Sequence, residues 1–88
     1  MTKRLENEEI TAAIRKGLAP FECQFRMEDY DSKLVVRVLD GQGKVLANFP
    51  KEHINTLRSA GGVADFIELA RLHLERKGAK LQPWTRPK

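Results

Sequence analysis

The sequence predicts an α+β fold: a three-stranded antiparallel β-meander with helices packed on one face, in the order α-β-β-β-α-α. Three observations lead there. Apolar residues recur at helical spacing near the N-terminus. The next thirty residues switch to period two. Helical spacing then returns after residue 50.

The first helix is expected over Thr2–Lys16. Ile10, Ala13, Ile14 and Gly17 fall at i, i+3, i+4 and i+7, which places them on one stripe. Thr2 suits the N-cap, and Glu6, Glu8 and Glu9 suit the positive end of the helix dipole. Arg15 and Lys16 suit its negative end, and Gly17 with Pro20 marks the stop.

Three strands follow. Phe21, Cys23, Phe25 and Met27 alternate with Glu22, Gln24, Arg26 and Glu28. Leu34, Val36 and Val38 alternate with Val35, Arg37 and Leu39. Val45, Ala47 and Phe49 alternate with Leu46 and Asn48. Two turn-rich spacers of four residues each, 29–32 and 40–43, join them. If Glu28 sits opposite Lys33, then Met27 meets Leu34, Phe25 meets Val36 and Cys23 meets Val38. If Leu39 sits opposite Lys44, then Val38 meets Val45, Val36 meets Ala47 and Leu34 meets Phe49. Both pairings put every core candidate on one side, and a one-residue slip would scatter them.

A short helix is expected at Lys51–Ser59, with Pro50 tolerated in its first turn and Ile54 and Leu57 buried. Gly61-Gly62 is read as its end. The last helix is expected over Val63–Lys77, its stripe made of Val63, Phe66, Ile67, Ala70 and Leu74 and widened by Leu69. Gly78 closes it. The chain thus divides into one small α+β domain, 1–78, and a tail, 79–88, whose Pro83 and Pro87 preclude a helix.

Eighty-eight residues bury one small core and leave no room for a deep cleft between domains. No apolar run approaches the roughly 18 residues that a membrane span requires. The charged stretch Met1–Glu9 is no secretory signal, and a lone cysteine cannot form an internal disulfide, so a cytoplasmic protein is expected.

Charge is distributed unevenly. Residues 71–88 hold six basic side chains (Arg71, Arg76, Lys77, Lys80, Arg86 and Lys88) against Glu75, whereas residues 1–70 hold ten basic and eleven acidic ones. The net charge of +4 therefore sits in the last helix and tail, where it would attract a negative surface. Trp84 lies in the same tail. It either folds back onto the core or fills a partner's pocket, and both readings suit an indole in so small a protein.

Catalytic and metal chemistry find little support. Cys23 lies between Phe21 and Phe25 on an apolar strand face, whereas a reactive thiol needs exposure and a positive neighbourhood. His53 and His73 have neither each other nor a cysteine at metal-ligand spacing. Glu8-Glu9 and Asp29/Asp31 already serve a helix start and a turn. Gly41-Gln42-Gly43-Lys44 joins two strands, and it lacks the Gly-x-x-x-x-Gly-Lys-Ser/Thr pattern of a phosphate loop. No metal, cofactor or small-molecule substrate is expected. Val35, Arg37, Leu39 and Leu46 fall on the sheet face opposite the core, beside Arg26. They are the candidate face for a homodimer, with an open strand edge as the other route.

The order helix, three antiparallel strands, helix resembles the double-stranded-RNA-binding domain. That family carries a lysine-rich motif at the start of its last helix. Here Gly62-Val63-Ala64-Asp65-Phe66 stands there without a lysine, so no RNA site is carried over. Residues 17–76 are also similar to short uncharacterised bacterial proteins that combine a Leu-x-Pro-Phe start (Leu18, Pro20, Phe21), a strand meander and a closing helix with Ile67, Arg71 and Leu74. That resemblance brings no activity and no site residues.

The resulting expectation is a small non-enzymatic binding module, a regulator or adaptor working through protein contacts and self-association. The alternative is nucleic-acid binding by the last helix and tail, with Arg71, Arg76, Lys77, Lys80, Arg86 and Lys88 on phosphates and Trp84 available to stack.

Overall fold

The computed structural model describes residues 5–30 and 32–86. Its elements are α1 (Asn7–Gly17), β1 (Glu22–Glu28), β2 (Lys33–Leu39), β3 (Val45–His53), α2 (Ile54–Leu57) and α3 (Ala60–Arg76). The fold is α+β in the expected order, and the three strands form one antiparallel sheet with β2 in the centre.

Helix α1 starts later than the sequence suggests. Glu6 is its N-cap, and the Glu6 N–H donates to the Glu9 carboxylate at 3.1 Å, half of a reciprocal capping arrangement. The expected cap, Thr2, lies outside the described residues. Ile10, Ile14 and Gly17 are buried as the stripe requires, and Leu18 joins them just past the helix end.

The first hairpin has the expected register throughout, from Glu22 opposite Leu39 to Glu28 opposite Lys33. Asp29 and Tyr30, at the start of the four-residue connection, both take positive φ, 53° and 56°, and the Ser32 N–H donates to the Asp29 carbonyl at 3.2 Å.

The second hairpin departs from its expected register. Leu39 pairs with Val45, Val38 with Ala47, Val36 with Phe49 and Leu34 with Glu52, with irregularities between Val38 and Leu39 and between Val36 and Leu34. The cause of the first shift lies in the turn. One carboxylate oxygen of Asp40 accepts from the N–H groups of Gln42 (2.8 Å) and Lys44 (2.9 Å), and the Asp40 N–H donates to the Lys44 carbonyl at 2.9 Å. Lys44 thus closes the turn opposite Asp40 rather than Leu39. Leu46 is the extra residue of the resulting bulge. It turns inward and packs against the core, while Val45, expected inside, is 48% exposed.

Residues 50–53 were expected to begin a helix and instead extend β3. A second bulge, two residues opposite Val35, falls at Pro50 and Lys51. Proline is tolerated there because β3 is an edge strand, where a missing N–H costs no ladder bond on the outer side. The short helix shrinks to α2, with Ile54 and Leu57 buried as expected.

Gly61-Gly62 does not end a helix but lies in the first turn of α3. The Ser59 hydroxyl caps this turn by accepting from the Gly62 N–H at 2.9 Å. A Cβ on Gly62 would run into the backbone carbonyl of Thr56, so the glycine permits the close approach of α2 to α3. Val63, Phe66, Ile67, Ala70 and Leu74 are buried, whereas Leu69, expected to widen this stripe, is 69% exposed.

The core joins Ile10, Ile14 and Leu18 to Cys23, Leu34, Val36, Val38 and Ala47 of the sheet and to the buried stripe of α3. Each fully buried aliphatic side chain contributes roughly 1.5–3 kcal/mol. All these sheet residues share one side, so α1 and α3 cover that side of the sheet.

Candidate interaction surface

The other side of the sheet is built by the alternate positions of the same strands. Gln24 and Arg26 of β1, Val35, Arg37 and Leu39 of β2, and Val45 and Asn48 of β3 lie there. Among the described residues, no helix covers it. Gln24, Phe25, Arg26, Val35 and Arg37 line a shallow depression of about 330 Å³. Arg26 bonds Glu28 along its own strand at 2.8 Å, and Lys33 pairs with Asp29 at 3.4 Å. Val35 is half-buried and Arg37 is exposed. Leu39 is on this side too, but only 6% exposed. Leu46, the fourth residue of the expected dimer face, does not belong to it, because the bulge carries its side chain to the core.

The C-terminal segment is docked against the domain. Gly78, at φ 85°, reverses the chain. The Gly78 N–H donates to the Glu75 carbonyl at 2.9 Å, and the Ala79 N–H donates to the Leu74 carbonyl at 3.0 Å. Residues 79–86 then return along α3 as a strap. The Gln82 N–H donates to the Ala19 carbonyl at 3.0 Å. Arg71 spends its fork on the same junction, Nη1 donating to the Gly17 carbonyl at 2.7 Å and Nη2 to the Gln82 carbonyl at 2.8 Å. Its guanidinium carbon lies 5.8 Å from the centre of the Trp84 ring. Arg86 reaches Asp65 at 2.6 Å and Glu68 at 3.1 Å, and these bonds raise its pKa above the ordinary arginine value. Ala79, Leu81 and Trp84 are partly buried against the core.

Three of the five described basic residues of the C-terminal region make intramolecular bonds. Arg71 and Arg86 hold the strap down, and Lys77 Nζ donates to the Leu46 carbonyl at 2.8 Å, which tethers the first bulge to the end of α3. Arg76 and Lys80 are exposed. Lys88 lies outside the described residues.

Arg58 escaped the sequence reading. It donates to the Leu5 carbonyl and the Asn7 side chain, both at 2.9 Å, while its own carbonyl accepts from the Leu5 N–H at 2.7 Å. It fastens the start of α1 to the α2–α3 corner. Nothing in local sequence marks a partner 53 residues away.

Cys23 is buried, and desolvation pushes its thiol up to about 11, against a smaller opposing pull from Arg15. At neutral pH burial keeps it a protonated, packed thiol. His73 is exposed and meets the Phe49 ring edge-on at 5.5 Å. His53, also exposed, ends β3. Among the described residues, no three histidine, cysteine or acidic side chains come together as a metal set, and no helix is long and apolar enough to cross a membrane. No protein-family model matches the chain, no curated protein matches it and no solved structure matches it, so the geometry above stands on its own.

Proposed function

We propose that this chain is a non-enzymatic binding module that works through protein–protein contacts and self-association, using the uncovered side of its sheet and the adjoining strand edge. One observation carries the reading: among the described residues, helices cover the sheet on one side only. On that side, helices and strap bury the aliphatic residues. The opposite side mixes Val35 and Val45 with Arg26, Arg37, Gln24 and Asn48, the apolar and guanidinium composition typical of interface cores. A regulator or adaptor of this kind needs no catalytic group.

Sedimentation equilibrium over a concentration series tests the reading, together with affinity capture by Arg37→Glu and wild-type chains. Self-association and partner capture that weaken in Arg37→Glu support it. A chain that stays monomeric and captures nothing removes it.

Nucleic-acid binding by the last helix and tail has less behind it, because Arg71, Lys77 and Arg86 already make intramolecular bonds. With Arg76, Lys80 and Lys88 of that set left for phosphates, binding would show a log–log salt slope of only about −2 to −3. No mobility shift at low salt would dismiss it.

A further inference from the structure

The two edges of the sheet differ in a way that selects one of them for pairing. β3 is interrupted twice, at Leu46 and at Pro50 and Lys51. Bulges and a proline blunt an edge, because they break the regular row of donors and acceptors that another strand would need. β1 has neither. Its seven residues pair with β2 in an unbroken ladder, and among the described residues its other side has no strand against it.

We infer that β1 pairs antiparallel with β1 of a second copy of this chain, Gln24 opposite Gln24, making one continuous six-stranded sheet. This deepens the self-association proposed above and rests on it. Symmetry and charge choose the register. A two-fold pairing that keeps both apolar faces on one side must be centred on a residue of β1, since a half-step would turn one face over. Centring on Phe25 would place Glu22 opposite Glu28 of the other copy, two carboxylates at each end. Centring on Gln24 places Glu22 opposite Arg26 of the other copy, twice by symmetry. It also sets the half-buried Phe25 beside the buried Cys23 of the other copy, which extends the apolar layer across the junction. Arg26 is suited to this position because its side chain is 70% exposed and is already held along the strand by Glu28. The second copy is the occupant that this pattern fits, since strand and complement lie in the same seven residues.

Charge reversal tests the pairing. Arg26→Glu and Glu22→Arg should each weaken dimerisation about tenfold, by putting like charges opposite each other at two symmetric positions, and the double variant Glu22→Arg/Arg26→Glu should restore it. Circular dichroism of all three variants checks that the fold is retained. In a Cys23→Ala background, Gln24→Cys should form an intermolecular disulfide under mild oxidation, since facing residues of neighbouring strands come within bonding range. A dimer unaffected by either single reversal, or one in which Gln24→Cys fails to cross-link, overturns the β1 inference while self-association through another surface stands. A wild-type chain that is monomeric at millimolar concentration overturns both.

Discussion

The two hairpins share strand β2, yet one is straight and the other is bent twice. In the first, backbone geometry does most of the work. Two consecutive positive-φ residues open the turn, Ser32 bonds back to the Asp29 carbonyl, and seven pairs follow without interruption. In the second, a side chain sets the register. The Asp40 carboxylate gathers the Gln42 and Lys44 amides, draws Lys44 into the turn and displaces the ladder, and the bulge at Leu46 absorbs the displacement. The difference teaches that equal spacer lengths do not imply equal registers. What decides is which turn residue supplies a hydrogen-bond acceptor.

The largest perturbation should come from the strand that both hairpins share. Leu34→Ala empties a site that is 1% exposed and should cost about 2–5 kcal/mol in chemical denaturation. A loss well under this range would mean that the sheet's apolar side is loosely packed around Leu34. Asp40→Ala comes next. It leaves two turn amides without their acceptor and should cost about 1–2 kcal/mol, with hydrogen exchange quickening at Ala47 and Phe49 before Phe25 and Met27. Equal quickening in both hairpins would erase the distinction between them. Asp29→Asn, in the first turn, should change stability by about 0.5 kcal/mol or less. Its 3.4 Å ion pair with Lys33 is only partly shielded from water, and asparagine tolerates the positive φ.

A pH effect separates the strands differently. The fold favours the protonated form of Cys23, whose pKa is raised to about 11. That contribution to stability is complete below the ordinary thiol pKa and is lost as pH rises toward 11. Thermal melts between pH 8 and 11 should therefore fall more steeply for the native chain than for Cys23→Ala. Parallel curves would place the thiol in water.

Much of this was legible in the sequence. The order of elements, the first register and the buried stripes of α1 and α3 follow from periodicity alone, because alternation and the 3.6-residue repeat report directly which side faces the core. What periodicity missed depended on particular atoms. The Asp40 carboxylate moved the second register and exchanged the roles of Val45 and Leu46. Pro50 looked like a helix start because an edge-strand bulge tolerates proline equally well. Gly61-Gly62 looked like a stop, whereas Gly62 serves the approach to Thr56. The open side was half legible: Val35 and Arg37 were placed on it, and Leu46 was lost from it. The docking of the strap through Arg71 and the Arg58 fastening join residues more than fifty positions apart, a separation that no local pattern spans.

The grip of Arg71 on both Gly17 and Gln82 also makes the molecule optically divisible. Its sole tryptophan sits in the strap, against that guanidinium, and not within the sheet. Indole emission should therefore report detachment of residues 79–86, while the far-ultraviolet signal reports melting of the helices and strands. If heating separates the two, the C-terminal segment is a latch that can open over a domain that remains folded.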